Sequence, residues 1–324
     1  MDILRYKSLV EEELMNIGRG ERPAELYAPI SYILSLGGKR LRPAVVLLAC
    51  ELFNGKPSEA LPCAIGLEVF HNFTLLHDDI MDNAPLRRNK PTVHEKWNAN
   101  VAILSGDAMF VMACQYMAKT PSAQLKEVLD IFYRTALEVC EGQQMDMNFE
   151  ERNDVSLAEY EEMIGLKTAV LLGACFQIGA LVGGASKADA QLLYDFGKQM
   201  GIAFQLQDDI LDVYGDNDKF GKLTGGDIIA DKKTFLLLKA FEIAGTSQRE
   251  QLENLVYNGG SQDKTQKVQA VTAIYDELEV VAHAQKEMEA NYERGLAALA
   301  ETSLSIEKKD LLRSFAQSLL RRDF

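Results

Sequence analysis

The sequence lacks the features that mark secreted, membrane-spanning and thiolate-metal proteins. Its five cysteines stand singly in apolar stretches, with no CxxC pair and no histidine at ligand spacing, so we expect reduced core thiols. No uncharged apolar run reaches membrane-spanning length, and the first residues are acidic where a signal peptide would be basic. These absences predict a soluble, cytoplasmic protein without a transmembrane segment.

Positive charge is also scarce. The 324 residues include 34 Lys and Arg against 48 Asp and Glu, a formal net charge of -14. An acidic surface repels polyanions, so we expect no nucleic-acid partner. An anionic ligand would need a local basic pocket.

Proline and strand patterns are rare as well. Only eight prolines occur, and apolar residues recur at three- and four-residue spacing, for example over Ser186 to Phe204 and Lys264 to Leu299. This pattern predicts helices only. Val101 to Ala118 and Thr168 to Val182 are so apolar that we expect both to be buried centrally. No stretch resembles a linker, so residues 1–324 are predicted to form one domain.

Two DDxxD motifs stand out against this background, LLHDDIMD and LQDDILDVYGD. On a helix, Asp78 and Asp82 project from one face, and so do Asp208 and Asp212. Paired carboxylates that follow apolar residues need a compensating cation, and oxygen-only ligands suit Mg²⁺ shared with substrate phosphates. One such motif alone could be a solvated helix end, but a second copy in apolar context makes that alternative weak.

Basic residues gather in two places. GGKRLRP brings Lys39, Arg40 and Arg42 into one loop, and Arg87 and Arg88 follow the first acidic motif closely. Arginine forks and lysine ammonium groups bind phosphate, which makes both clusters candidate anion sites. An ordinary solvated loop is the alternative for either cluster taken alone.

Together the segments GGKRLRP, HNFTLLHDDIMDNAPLRRNKPTVH, GLKTA, FQLQDDILDVYGD and GKLTGGDIIADKKT resemble the trans-polyprenyl diphosphate synthases, in particular the short-chain geranylgeranyl and farnesyl types. The resemblance implies an all-α fold, a single large helical bundle with a deep central active-site cavity. It also implies a homodimer that uses Mg²⁺, three ions per active site with substrate bound. The substrates would be isopentenyl diphosphate and an allylic diphosphate (dimethylallyl, geranyl or farnesyl).

The same resemblance assigns roles to individual residues. The implied metal ligands are chiefly Asp78, Asp82 and Asp208, completed or supported by Asp79, Asp209 and Asp212. The allylic diphosphate would be held by Arg87, Lys167, Lys222 and Lys232, and isopentenyl diphosphate by Lys39, Arg42, His71 and Arg88. Thr168 and Gln205 would steady a carbocation, and Arg321 and Arg322 would lie over the diphosphates, unless the terminus is simply frayed.

The implied reaction is ionisation of the allylic carbon-oxygen bond, attack by the isopentenyl double bond and loss of a proton. Product length depends on what blocks the hydrocarbon tunnel, and Phe73, five residues before Asp78, is the best candidate. With the smaller Thr74 beside it, the resemblance favours a C20 product over C15, and a long-chain product stays open.

Three other readings compete with this one. A class I terpene cyclase would share the magnesium chemistry but usually carries an Asn/Ser/Glu second motif, and it needs no second diphosphate site. A non-catalytic subunit would keep the fold without the intact aspartates. A di-iron protein would need two inward Glu-x-x-His motifs, and the sequence has no second one beside Glu68 to His71. For His77 and His94 we favour structural roles.

Overall fold

The computed structural model describes residues 3–215, 225–257 and 263–320, and these residues are mainly helical. The prediction of an all-α fold is confirmed. The elements are α1 (Ile3–Leu14), α2 (Ala24–Ser35), α3 (Leu41–Leu52), α4 (Pro57–Met81), β1 (Leu86–Arg87), β2 (Lys90–Pro91), α5 (Val93–Lys96), α6 (Ala99–Met117), α7 (Leu125–Glu150), α8 (Leu157–Ile164), a π-helical turn (Gly165–Ala169), α9 (Val170–Val182), α10 (Lys187–Tyr214), α11 (Gly226–Ile229), α12 (Phe235–Ile243), α13 (Thr246–Val256), α14 (Lys264–Glu277), α15 (Val280–Glu301) and α16 (Ile306–Leu320).

Helix starts follow local sequence signals. Asn98 caps α6 by accepting a hydrogen bond from the Val101 amide, and Ser156 forms a capping box with Glu159 at the start of α8. Asp263 caps α14 in the same way. Such caps satisfy amide groups that have no partner within the helix, which explains why these helices begin where they do.

Two expectations about secondary structure need correction. The prediction of helices only misses a two-residue antiparallel ladder, in which Leu86 pairs with Pro91 and Arg87 with Lys90. The predicted run from Lys264 to Leu299 is broken at Glu279, whose φ of 52° is left-handed and ends helical geometry between α14 and α15.

The apolar helix α6 is not buried all round, contrary to expectation. Ile103, Leu104 and Val111 are 45%, 60% and 56% exposed. The segment Leu157–Val182 meets the expectation, since 83% of its most apolar window is buried. In the part of the chain that the structure describes, it is the one helix long and apolar enough to cross a membrane, and its burial matches a core helix.

The chain divides into two compact units, residues 1–134 with 174–194, and residues 135–173 with 195–324. The prediction of one domain over residues 1–324 stays a prediction. In the first unit α4 packs against α3 and α6. Gly179 and Gly183 approach α3 closely, because a Cβ atom on either would lie 2.3 or 2.4 Å from a backbone oxygen of that helix.

The second unit has its own apolar core. Tyr160 of α8, Leu206 of α10, Phe235 of α12 and Tyr275 of α14 are all buried within it. Large side chains from four elements thus meet in one cluster, and burying them favours the packing of this unit. The second aspartate motif lies on α10, against this core.

Candidate active site

The first aspartate motif occupies the C-terminal end of α4. Asp79 is 2% exposed, and the Arg87 guanidinium donates from Nε to both of its carboxylate oxygens at 2.8 and 2.9 Å. Asp78 is partly exposed and Asp82, the C-cap, is exposed. The motif therefore presents Asp78 and Asp82 outward, while Asp79 is engaged by Arg87 within the unit.

Arg88 lies against the glycine loop before α3. Its guanidinium donates to the Gly37 carbonyl oxygen. Gly38 has a φ of 145°, and a Cβ atom there would lie 3.1 Å from the Arg88 guanidinium, so a larger residue would strain the backbone and crowd the contact. The structure thus brings the two basic clusters of the sequence together.

Arg42 and His71 form the inner part of this basic cluster. Arg42 Nη1 lies 3.3 Å from His71 Nε2, and Arg42 Nε is buried without a hydrogen-bond partner. Burial, and then the guanidinium groups of Arg42, Arg88 and Arg87, hold the pKa of His71 well below its usual value. His71 is therefore neutral and can accept from a neighbouring donor, and the arginines around it attract an anion.

Arg40 does not belong to this anion cluster, although the sequence groups it there. It is 3% exposed, and its guanidinium pairs with Glu68 and Glu11 at 2.7 Å each. The third arm donates to the Leu34 carbonyl oxygen. Arg40 is a buried structural charge, and Lys39, which is exposed, remains the loop cation on the surface.

The second aspartate motif repeats the pattern of the first. Asp209 is 4% exposed and accepts hydrogen bonds from Tyr160 Oη at 2.5 Å, the Phe235 amide at 3.1 Å and Gln205 Nε2 at 3.2 Å. Burial raises its pKa to about 7, although the Tyr160 hydrogen bond opposes that rise. Asp208 and Asp212 are partly exposed, and Asp212 also accepts from the Asp227 amide at 2.9 Å.

Lys167 and Thr168 lie in the π-helical turn. The Lys167 ammonium is 2.6 Å from Asp146 of α7, and the Thr168 hydroxyl donates to Gln205 Oε1 at 3.4 Å. Gly142 of α7 makes this possible, since a Cβ atom there would lie 2.3 Å from the Lys167 amide nitrogen. A π-helical turn often marks a functional site, because its extra residue redirects side chains.

A cavity of about 110 Å³ in the second unit is lined by most of the side chains just described around Asp209 and Lys167. Its polar lining includes the following residues: Asp146, Tyr160, Lys167, Thr168, Gln205, Asp209, Asp227, Lys232 and Lys233. Lys233 is 7% exposed, and burial lowers its pKa. Lys222, Arg321 and Arg322 lie outside the described residues.

Phe73 lies in an aromatic cluster of the first unit. Its ring centroid is 5.7 Å from that of Phe70, 5.6 Å from Phe110 and 4.7 Å from His77. Phe70 and Phe132, which contact each other at 5.5 Å, are each 1% exposed, whereas Phe73 and Phe110 are only partly buried. Phe73 is therefore a partly exposed member of a packed aromatic cluster.

The motif residues fit a divalent metal by donor type and exposure. Asp78 with Asp82, and Asp208 with Asp212, are hard oxygen donors at partly or fully exposed positions. Within the ranges 3–215, 225–257 and 263–320, no three His, Cys, Asp or Glu side chains are grouped as ligands of one ion. Each pair would therefore need further ligands, which diphosphate oxygens and water can supply.

Comparison with known proteins decides the family. Residues 23–277 match the model of the polyprenyl synthetase family. The chain belongs to this family. It is 44% identical over 223 residues to a geranylgeranyl diphosphate synthase of Methanosarcina mazei, covering 68% of this chain and 69% of that one. It is 38% identical over 256 residues to a geranylfarnesyl diphosphate synthase of Natronomonas pharaonis, covering 74% and 75% of the two chains.

The structure agrees with these sequence relationships. A crystal structure of a geranylgeranyl pyrophosphate synthase superposes with a TM-score of 0.95 at 40% identity, over 100% of both chains. This polyprenyl synthetase is therefore an enzyme of prenyl transfer, and the prediction of a prenyl diphosphate synthase is confirmed. The family binds substrate diphosphate through divalent metal.

Several residues that shape the site escaped sequence reasoning. Tyr160 and Asp146 lie in none of the quoted motifs, and Asp227 and Lys233 lie within GKLTGGDIIADKKT but were given no role there. Asp146 has a weak sequence signal: it lies one helical turn after Gly142, and a glycine within a helix can mark the close approach of another segment. Tyr160 offers none.

Proposed function

We propose that this polyprenyl synthetase condenses isopentenyl diphosphate with an allylic diphosphate to give a short-chain, all-trans polyprenyl diphosphate. The observation that carries the proposal is the Arg42 guanidinium. Its Nε is buried without a protein partner, beside neutral His71 and close to Arg87 and Arg88, in a chain of net charge -14. Arg87 is paired with Asp79, but the buried Arg42 Nε has no partner, and a diphosphate bound there would supply one.

This cluster is proposed to hold isopentenyl diphosphate through Lys39, Arg42, His71 and Arg88. The allylic diphosphate is assigned to Lys167 and Lys232 of the second unit and to Lys222, with Arg87 as a further contact. Arg87 already forms an ion pair with Asp79 at 2.8 Å. Its proposed contribution to diphosphate binding is therefore chiefly to orient the first aspartate motif.

Magnesium ions, three per active site in this proposal, would be held by Asp78, Asp82, Asp208 and Asp212. They would neutralise charge on the departing diphosphate. Asp79 and Asp209 are proposed to support this set from inside the helices, since their oxygens already accept hydrogen bonds from the protein.

The protein's own groups then account for the remaining steps. The Lys167 and Lys232 ammonium groups stabilise the oxygens of the leaving diphosphate as the allylic carbon-oxygen bond breaks. The Thr168 and Gln205 oxygens offer dipoles to the allylic cation without capturing it. The isopentenyl double bond forms the new carbon-carbon bond, and the released diphosphate accepts the proton that is lost.

A C20 product fits best. Phe73 contacts Phe70 and Phe110, which in turn contact the buried Phe132. This aromatic cluster would close the hydrocarbon tunnel about 7.5 Å along α4 from Asp78. Related enzymes named for C20 and C25 products agree with the short-chain class. C15 is the next candidate.

We further propose a cytoplasmic homodimer. Ile103, Leu104 and Val111 of α6 are exposed apolar residues, and Tyr133 of α7, in the same unit, is 48% exposed. Apolar exposure of this kind is typical of a subunit interface. Leu104→Glu is expected to halve the mass measured by light scattering, and an unchanged dimer mass would contradict this interface.

The main test incubates the purified protein with isopentenyl diphosphate and C5, C10 or C15 allylic diphosphates, with Mg²⁺ or with EDTA, and sizes the products by mass spectrometry. Magnesium-dependent extension that stops at C20 is expected. Cyclised hydrocarbon with release of diphosphate would favour a class I cyclase. Folded protein that extends no primer would favour a non-catalytic subunit. An Arg42→Met variant should raise KM for isopentenyl diphosphate and leave KM for the allylic primer nearly unchanged.

A further inference from the structure

His77 immediately precedes Asp78, yet its imidazole is directed at the neighbouring helix α6. Its Nε2 donates to the Ile103 carbonyl oxygen at 3.3 Å. The ring lies directly over Gly106, where a Cβ atom would be 2.2 Å from Nε2 and 2.5 Å from Cδ2. The imidazole thus occupies space that any other residue at position 106 would fill.

The same imidazole also contacts Phe73, one turn earlier on α4. The ring centroids are 4.7 Å apart and the planes meet at 64°, an edge-to-face contact. Phe73 is held on its other sides by Phe70 and Phe110. His77 is therefore a wedge between the α6 backbone and the Phe73 ring.

We infer that His77 and Gly106 are positioning residues that set product length by fixing the Phe73 ring. This inference rests on the proposed function, in which Phe73 ends the hydrocarbon tunnel. A partly exposed phenylalanine has more than one accessible χ1 rotamer, and an elongating chain can displace it. Contact with a ring that is itself braced against backbone removes that freedom, because a glycine backbone cannot yield as a side chain can.

The neighbouring residues support a role in packing over a role in chemistry. One nitrogen of His77 already donates to a backbone carbonyl, which orients the ring away from its sequence neighbour Asp78. Gly106 is fully helical, with no positive φ to explain a glycine there, so the space it leaves is the property that matters.

The experiment compares product distributions of the full-length wild type, Gly106→Ala, His77→Ala and His77→Phe with isopentenyl diphosphate and the C5 primer. Gly106→Ala must displace the imidazole, and His77→Ala removes it. Both are expected to raise the ratio of longer products to the wild-type product by roughly three- to tenfold, the rough worth of one aromatic pair contact. His77→Phe keeps a ring against Phe73 and is expected to restore most of the wild-type distribution.

Gly66→Ala is the matched control. It also adds one methyl group between α4 and α6, two turns before Phe73, where the nearest atoms are the flexible Met117 thioether at 2.8 Å and the Ala113 carbonyl oxygen at 3.1 Å, but no aromatic ring. It is expected to leave product length unchanged. If Gly106→Ala fails to fold by circular dichroism, the two His77 variants decide the matter.

Three results would overturn the inference. Wild-type product length in both Gly106→Ala and His77→Ala would show that Phe73 needs no wedge. A loss of turnover in His77→Ala without a change in product ratio would give His77 a part in the chemistry. The same shift in Gly66→Ala would mean that any disturbance of the helix pair suffices. Absence of extension by the wild type, by contrast, would refute the proposed function itself.

Discussion

Replacing the adjacent residues Lys39 and Arg40 by methionine is expected to have different effects: the Arg40 variant should lose stability, and the Lys39 variant should bind isopentenyl diphosphate less tightly. Arg40→Met removes the partner of Glu68, whose side chain is 5% exposed, and leaves a buried carboxylate held mainly by Asn72 at 3.1 Å. Breaking one side of a buried ion pair costs about 3–5 kcal/mol. Lys39 is exposed, so its replacement should cost within about 0.5 kcal/mol of stability.

The assay has two arms. Urea unfolding followed by circular dichroism should show a large loss of stability in Arg40→Met and almost none in Lys39→Met. Steady-state kinetics on the folded proteins should show the reverse, with KM for isopentenyl diphosphate raised in Lys39→Met.

A double variant sharpens the test. Arg40→Met with Glu68→Met replaces the pair by apolar groups of similar length, so it should recover much of the stability lost in the single variant. The assignment would be refuted if Arg40→Met unfolded with wild-type midpoint while raising KM for isopentenyl diphosphate. That result would place Arg40 in the anion cluster after all.

Three further predictions follow from the same contacts. The pKa of His71 is lowered in the folded state, so only the unfolded chain binds a proton there readily. The free energy of unfolding should therefore fall as pH drops below about 6.5. His71→Gln should flatten that part of a curve of stability against pH. Tyr160→Phe removes a hydrogen bond to buried Asp209 and should lower the free energy of unfolding by about 1.5–3 kcal/mol, and an unchanged urea midpoint would count against this. Asp146→Ala frees the Lys167 ammonium, 2.6 Å away, and should lower kcat less than Lys167→Ala does; equal losses in single-turnover kinetics would show that the pair acts as a unit.

Helical periodicity explains why the general architecture could be predicted. Apolar residues at three- and four-residue spacing predict helices, and a four-residue spacing puts Asp78 and Asp82 on one face whatever the rest of the chain does. The segment around each motif was likewise enough to indicate prenyl synthase chemistry, because so many specific residues occur in the right order.

Periodicity says less about which face of a helix is covered. Apolar α6 was predicted to be wholly buried, yet Leu104 and Val111 are exposed. An apolar segment can lie in a core or have one face exposed, and composition alone does not distinguish the two. The brief ladder of Leu86–Arg87 with Lys90–Pro91 was missed because two residue pairs carry no alternation to detect.

The sequence by itself determined the helices, the paired carboxylates and the family, because these depend on spacing along one chain. Only the tertiary structure decided which members of each motif turn inward. Asp209 is buried because Tyr160, 49 residues away, and the Phe235 amide meet it there. Arg40 and Arg42 have the same side chain two residues apart, yet one meets Glu68 and the other His71. Such differences arise from packing between distant segments, which local spacing does not specify.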